Sequence, residues 1–327
     1  MTGVQPGLPR VATVLPKAGA EIGSFIWSAA AALILGIGTS CPASASDAAG
    51  ASENTALTVD APSAGISVDA AEGPPATHDA ESVKLAKQLS NPVSSLISVP
   101  FEGNWDTGAG ADGKGDIYTL KIQPVIPFRL TPDLNLISRT IVPVITETDV
   151  ARPHHSQTGL GDTTQSLFLS PEKPLFGWLI VGAGPVMLVP TGTDASLSSR
   201  KWAAGPTAVA LTQMHGWIMG ILVNQLWSFA GNPDRDSVNA LYMQPFITFT
   251  TKKATTFGIN TETLCNWRVA TDRCSVPINL TVGQLVHVGK QPISFTVGGR
   301  YYAERSEDSP KWGLRFVTTF LFPARKH

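Results

Sequence analysis

Long stretches of this sequence alternate apolar and polar residues with a period of two. In residues 118–129 the even positions are Tyr, Leu, Ile, Pro, Ile and Phe, and the odd positions are Thr, Lys, Gln, Val, Pro and Arg. Residues 293–304 alternate in the same way, and residues 255–268 and 312–322 resemble them. Because successive side chains of a β-strand point to opposite faces, the pattern predicts strands with one apolar face.

The alternating segments are long. Many exceed the roughly five or six residues of a globular strand and match the roughly nine to eleven that cross a bilayer at a tilt. From residue 95 onward no amphipathic helix of normal length interrupts them. We predict an all-β fold, an antiparallel transmembrane β-barrel of about twelve strands. The predicted strands are 95–106, 115–129, 133–147, 159–170, 176–190, 199–212, 215–230, 236–251, 255–268, 272–289, 291–304 and 309–323.

The connections between these strands alternate in length. The longer ones are polar and rich in Gly or Asp, and most of the others are tight turns such as 131–133, 252–253 and 289–290. Long outer loops and short periplasmic turns are typical of outer-membrane barrels. An even number of strands would then place both chain ends in the periplasm. Aromatic residues cluster near the predicted strand ends, as the interfacial girdles of such barrels require.

Composition excludes several other classes. Charged residues make up 15% of the 327-residue chain and hydrophobic residues 43%, whereas a soluble domain carries about 25% charged residues. A barrel wall needs apolar residues only at alternate positions, so a moderate average is expected of it. The net charge of −1 argues against a nucleic-acid partner, because neutralising phosphates requires a basic surplus. We expect the partners to be outer-membrane lipids and a small-molecule solute.

The N-terminal region has the features of an export signal. Arg10 and Lys17 precede an apolar core at 25–37, and Ala43-Ser44-Ala45 fits a small-x-small cleavage site. Residues 1–45 are therefore interpreted as a signal peptide and the protein as an outer-membrane protein. The alternatives are a retained membrane anchor and a lipidated Cys41.

Three segments complete the organisation around the barrel. Residues 46–79 are polar and small without a period, which indicates a disordered periplasmic tether. Residues 80–92 form a short amphipathic helix that either docks in the barrel mouth or lies on the membrane. The barrel then spans 93–323, and 324–327 are a C-terminal tail.

Prolines conflict with the predicted strands, because proline cannot donate to a β-ladder and a closed barrel has no edge. The sequence leaves two explanations, which are bulges in the wall or strands shorter than predicted. The prolines concerned are Pro124, Pro127, Pro143, Pro185, Pro206, Pro245 and Pro277.

Cys265 and Cys274 lie nine residues apart, and export would place them where a disulfide is stable. Two unpaired thiols are the alternative. No neighbouring ligands complete a zinc site, and solvated loop histidines explain His154 and His155 better than a metal does. We therefore predict no metal, no cofactor and no enzymatic activity. An outer-membrane hydrolase is an alternative that would need a nucleophile and a base.

If the apolar faces point to lipid, a set of polar side chains points into the lumen. They either line a solute pathway, with arginines contacting an anionic or phenolic group, or fill the lumen with mutual salt bridges. A barrel of about twelve strands is between the sizes that are filled and open. The predicted lumen residues are Lys121, Gln123, Arg129, Arg139, Asn260, Glu262, Arg300, Tyr302, Glu304 and Arg315.

An ordered series of motifs adds a resemblance to a known family. It includes LAKQLSNP at 85–92, SLISVPF at 95–101, NLISRTIVPV at 135–144, KWAAGPT at 201–207 and WGLRF at 312–316. The series resembles the meta-pathway phenol-degradation family of outer-membrane transporters, whose members are often labelled "transporter" or, by misannotation, "neuromedin U".

The resemblance implies a barrel that passes or binds small, often apolar or aromatic molecules. The final strand also looks like the signal read by the barrel-assembly machinery, although residues 323–327 follow its last Phe. We predict a channel or transporter, and a structural or adhesive barrel that acts through its outer loops is the alternative.

Overall fold

The computed structural model describes residues 75–151 and 154–322, with side chains from residue 80 onward. These residues form one helix, α1, and fifteen strands in a single sheet. The helix is Pro75–Leu89, and the strands are β1 Ile97–Ala109, β2 Gly115–Ile122, β3 Val125–Thr131, β4 Leu134–Thr148, β5 Ser156–Leu160, β6 Thr163–Pro171, β7 Leu179–Val189, β8 Lys201–Met214, β9 Trp217–Gly231, β10 Asn239–Thr250, β11 Thr255–Thr261, β12 Thr263–Asn266, β13 Cys274–Val288, β14 Gln291–Glu304 and β15 Trp312–Phe322.

The sheet closes into an antiparallel barrel, which confirms the predicted fold. Strand β1 pairs with β2 and also with the last strand, β15. Three predicted strands are each split into two collinear pieces, β2 and β3, β5 and β6, and β11 and β12, so fifteen segments make twelve wall strands. Ile97 pairs with Phe322, so the first strand begins and the last strand ends at the same end of the barrel, here called the terminal end. The opposite end, with the longer connections, is called the loop end.

The prolines explain where the wall is broken. Pro124 lies in the interruption between β2 and β3, and Pro277 lies at a register shift between β13 and β14. The carbonyl of Pro143 accepts from Gly161 at the break between β5 and β6. Pro185 and Pro206 face each other across β7 and β8. Bulges and shorter strands, the two explanations that the sequence left open, therefore occur together.

The outer face of the wall is apolar and ends in two aromatic belts, as a lipid-facing surface requires. On β2 and β3, Tyr118, Leu120, Ile126 and Phe128 all point outward and are exposed. Exposed aromatic residues toward the terminal end include Phe128, Phe176, Trp178, Trp217 and Phe322. Those nearer the loop end include Tyr118, Trp202, Trp227, Trp267, Tyr301 and Trp312.

Helix α1 lies in the mouth of the barrel at the terminal end, which decides between the two placements that the sequence allowed. Leu85 and Ala86 are each 4% exposed and pack against Ala254, Leu285 and Leu321. The helix begins five residues before the predicted segment 80–92, because proline is tolerated in a first helical turn, and it ends at Leu89.

The chain enters β1 only at Ile97, four residues later than the predicted barrel start at residue 93. In between, Val93 packs inside the barrel with Phe168 and Val209. Residues 80–96 are called the N-terminal plug below.

Among the described residues, no helix is long and apolar enough to span a bilayer. The predicted signal peptide, Cys41 and nearly all of the predicted tether lie outside the described residues, as does the C-terminal tail.

Candidate functional site in the barrel lumen

Strand β1 supplies acidic and amide groups to the lumen that the sequence analysis did not select. Glu102, Asn104 and Asp106 alternate with Phe101, Gly103 and Trp105, so the period of two places the polar set on the inner face. Asn104 and Asp106 are buried. The same alternation seen elsewhere in the chain could have identified them.

An ion-pair network spans the lumen. Glu262 lies between β11 and β12, where the interrupted wall strand turns its side chain inward. Its two carboxylate oxygens accept from Arg315 Nη1 at 2.7 Å and Nη2 at 3.0 Å. Lys121 Nζ lies 3.5 Å from Glu262 Oε2. Lys121 and Glu262 are separated along the wall by four strands, β13, β14, β15 and β1. Their contact therefore crosses the lumen and constricts it.

Glu102 and Asp106 complete this network. Lys121 Nζ is 3.0 Å and Arg315 Nη2 is 3.2 Å from Glu102 Oε1. Arg300 Nη1 lies 3.1 Å from Asp106 Oδ2, and Arg300 Nη2 lies 3.8 Å from Glu262. Arg300 also stacks over the ring of Tyr302, with Cζ 5.5 Å from the ring centroid. The ion-pair network is Glu102, Asp106, Lys121, Glu262, Arg300 and Arg315.

Arg139 and Gln123 extend the network toward the terminal end. Arg139 Nη2 donates to Gln123 Oε1 at 2.9 Å, and Gln123 Nε2 donates to Glu102 Oε2 at 3.2 Å. Gln123 lies in the break between β2 and β3, where its backbone N–H donates to Pro100. The interruption of the wall therefore places an amide between an arginine and a carboxylate.

A cavity of about 230 Å³ lies between the N-terminal plug and this region. A second, of about 270 Å³, adjoins it and reaches Glu102. Both are bordered by Leu89 and Ser90 of the plug and by Gln123 and Arg139 of the wall. The lumen thus contains space that is closed by the plug on one side and by charged side chains on the other.

A second part of the lumen near the terminal end holds an apolar cluster. Val93 of the plug packs there with Phe168, Val209, Leu222 and Phe246. Burial of Val93 stabilises the plug in the mouth, since a fully buried large apolar side chain contributes about 1.5–3 kcal/mol. The lumen is consequently divided into a charged sector and an apolar sector.

At the loop end, the connection between β7 and β8 is fixed to the wall. Asp162 accepts hydrogen bonds from Ser198 Oγ at 2.6 Å and from the backbone N–H and hydroxyl of Ser199 at 2.7 and 2.6 Å. Arg235 donates to the carbonyls of Ala195 and Ser198. Within this loop, the backbone N–H and hydroxyl of Ser196 hold the pKa of the Asp194 carboxyl below its usual value.

The structure brings most of the predicted lumen residues together. Lys121, Gln123, Arg139, Glu262, Arg300, Tyr302 and Arg315 form one connected set, and Asn260 accepts from Asn279. Asn260 is thus bonded outside this set, and two further residues do not belong to it. Arg129 is exposed at the terminal end, where it donates to the carbonyl of Pro132, and Glu304 is exposed at the loop end of β14. Both lie at strand ends, where the inner face meets solvent.

Cys265 and Cys274 face each other across β12 and β13 and are joined by a disulfide. His154 lies in an exposed loop, and its backbone N–H donates to Asp149. No group of three or more His, Cys, Asp or Glu side chains within the described part of the chain could hold a metal ion.

Comparison with known proteins shows the fold. The sequence matches no protein-family model and no curated protein. The COG4313 outer membrane channel from Pseudomonas putida F1 is similar in structure, with a TM-score of 0.55 and 15% identity over 70% of this chain and 96% of that chain.

Two other solved structures share less. The KdgM porin in complex with disordered oligogalacturonate has a TM-score of 0.40 and 10% identity, covering 70% of this chain and 100% of that chain. Outer membrane phospholipase A from Escherichia coli has a TM-score of 0.40 and 10% identity, covering 71% and 100%. The similarity to the COG4313 channel shows that this chain has the fold of an outer-membrane β-barrel.

Proposed function

We propose that this chain is an outer-membrane channel that passes small molecules through the barrel lumen. The observation that carries the proposal is the interior cavity between the N-terminal plug and the ion-pair network. A barrel that served only as an anchor would need neither interior space nor a separable element closing its mouth. Structural similarity to a solved outer membrane channel supports the same function.

The plug acts as the gate in this proposal. It belongs to no strand of the wall, and its packing against the barrel is made by apolar side chains such as Leu85 and Val93. A hydrogen bond between Ser82 Oγ and His287 Nδ1, at 3.4 Å, adds a polar contact. Displacing it would open the terminal end without breaking the β-ladder. The ion-pair network then forms the second constriction, where solute would exchange with the side-chain contacts that cross the lumen.

The proposal includes the orientation and biogenesis of the protein. Residues 1–45 act as an export signal, the tether and the terminal end lie in the periplasm, and the barrel-assembly machinery inserts the barrel into the outer membrane. Membership in the meta-pathway phenol-degradation family, with apolar or aromatic solutes, is part of the same proposal. The motif series from residue 85 to residue 316 supports it.

Conductance in planar lipid bilayers tests the gate. Leu85→Asp places a charge in the buried contact of the plug with Leu285 and Leu321, and an unpaired buried charge is strongly unfavourable. We expect the variant to show a larger mean conductance than the wild-type protein because the plug leaves the mouth. Lys84→Asp is the matched control, since Lys84 is the exposed neighbour on the same helix, and it should behave as wild type.

Absence of current and of solute uptake would contradict the channel function. If Leu85→Asp protein that retains the heat-modifiable migration of a folded barrel carries no ionic current and admits no solute into liposomes, the lumen is not a pathway. Equal conductance of the Leu85→Asp and Lys84→Asp variants would instead reject the plug as the gate.

A further inference from the structure

Arg139 differs from the basic residues of the ion-pair network in its partners. The six ion pairs of the network are made by Lys121, Arg300 and Arg315, and Arg139 takes part in none of them. Its guanidinium donates instead to the amide oxygen of Gln123. Three carboxylates already balance three cations in the network, so the charge of Arg139 is one in excess.

The guanidinium of Arg139 borders the cavity that the plug covers. Val125 and Phe246 line the same cavity and give it an apolar wall.

We infer that this cavity binds a small monocarboxylate with an apolar body. The carboxylate accepts from Arg139, and the apolar body lies against Val125 and Phe246. A single excess cation matches a single negative charge, and guanidinium groups bind carboxylates by two parallel hydrogen bonds. The volume of about 230 Å³ is enough for one ring or a short chain.

The inference rests on the proposed function, because it names the class of solute that the pathway would hold between its two constrictions. The site lies on the periplasmic side of the ion-pair network if the terminal end faces the periplasm. The amide of Gln123 bonds both Arg139 and Glu102 and therefore lies between a carboxylate bound at Arg139 and the Glu102 carboxylate.

Calorimetric titration of the purified full-length protein tests the site, with benzoate as the probe and benzamide as its uncharged counterpart. We expect benzoate to bind and benzamide to bind at least about tenfold more weakly, because hydrogen bonds to charged groups account for that factor or more. Arg139→Gln should weaken benzoate binding at least about tenfold. Arg139→Lys, which keeps the charge and loses the planar fork, should fall between the two.

Arg129→Gln is the matched control. It removes the same type of charge from the exposed rim of the neighbouring strand β3 and should bind benzoate as the wild type does. Heat-modifiable migration checks that each variant is folded. Failure of the wild type to bind benzoate, equal binding of benzamide, or unchanged binding by folded Arg139→Gln would each overturn the inference.

The channel function is measured separately in the same protein. If the Leu85→Asp variant carries ionic current and the wild-type protein does not bind benzoate, the carboxylate site is rejected and the channel function is retained. Benzoate binding that depends on Arg139, in a protein without current, would leave a binding barrel and remove the channel.

Discussion

Glu262 is the residue on which the basic side chains of the lumen converge. It contacts Lys121, Arg300 and Arg315, and its own side chain is 9% exposed. Because these pairs are largely withdrawn from water, losing one partner leaves uncompensated charge rather than solvated charge. The network is therefore expected to be sensitive to single neutral substitutions.

Glu262→Gln tests that sensitivity. We expect the free energy of unfolding to fall by about 3 kcal/mol, as when a buried ion pair loses one partner, measured by urea unfolding in lipid vesicles. Glu304→Gln is the control at the exposed end of β14, and its effect should stay within about 0.5 kcal/mol. Equal effects of the two substitutions would show that the network does not stabilise the barrel.

Sequence alternation assigns a residue to a face of the wall but not to a height along it. Lys121 and Arg315 were predicted to point inward and lie in the network, whereas Arg129 and Glu304 have the same parity and lie at exposed rims. The pairing of Lys121 with Glu262 was beyond the sequence, because it depends on the width of the closed barrel. Glu102 and Asp106 were missed because Gly103 and Pro100 weaken the contrast between the two faces of β1.

The connection between β7 and β8 makes several hydrogen bonds to one side chain of the wall, Asp162. Asp162 accepts from Ser198 and Ser199, and the backbone N–H of Gly192 donates to it at 3.2 Å. These contacts hold the loop against the wall near Gly159, where an added Cβ would lie 2.3 Å from Thr193 Oγ1. The amino-acid composition of this loop does not predict that it is fixed to the wall, because the other polar connections have a similar composition.

Asp162→Ala is expected to release this loop and to accelerate tryptic cleavage after Arg200 or Lys201 several-fold, because cleavage requires local opening. Cleavage of the folded protein in detergent gives the measurement. Asp194→Ala is the control, since Asp194 is bonded to Ser196 in the same loop and not to the wall. If Asp194→Ala is cleaved as fast as Asp162→Ala, the wall contact is not what orders the loop.

At the level of elements, the sequence predicted twelve wall strands but not their interruptions. The breaks at Pro124 and at Glu262 depend on which residues of the adjacent strands pair with a proline. The sequence does not reveal that pairing. Helix α1 was predicted, and its docking was left open, because Leu85 and Leu89 form an apolar stripe that a membrane surface and a barrel mouth would both accept. The helix docks in the mouth because Ala254, Leu285 and Leu321 form an apolar contact surface for it, and these residues come together only when the barrel closes.

In the whole molecule the lumen is blocked at two successive points, first by the apolar plug and then by the ion-pair network. Once the plug is displaced, the charges of the lumen should determine which ions pass. Lys121, Arg139, Arg300 and Arg315 outnumber Glu102, Asp106 and Glu262 by one. Fixed charges that line a narrow pore favour ions of the opposite sign, so the open channel should prefer anions weakly.

Reversal potentials in a KCl gradient test this balance in the Leu85→Asp background. Adding Glu262→Gln increases the positive excess and should strengthen the preference for chloride. Adding Arg139→Glu reverses the sign of the excess and should make the channel prefer potassium, whereas Arg129→Glu at the exposed rim should leave the preference nearly unchanged. A potential that responds equally to Arg139→Glu and Arg129→Glu would mean that ions do not pass the network, because only a pathway through the lumen distinguishes an interior charge from a rim charge.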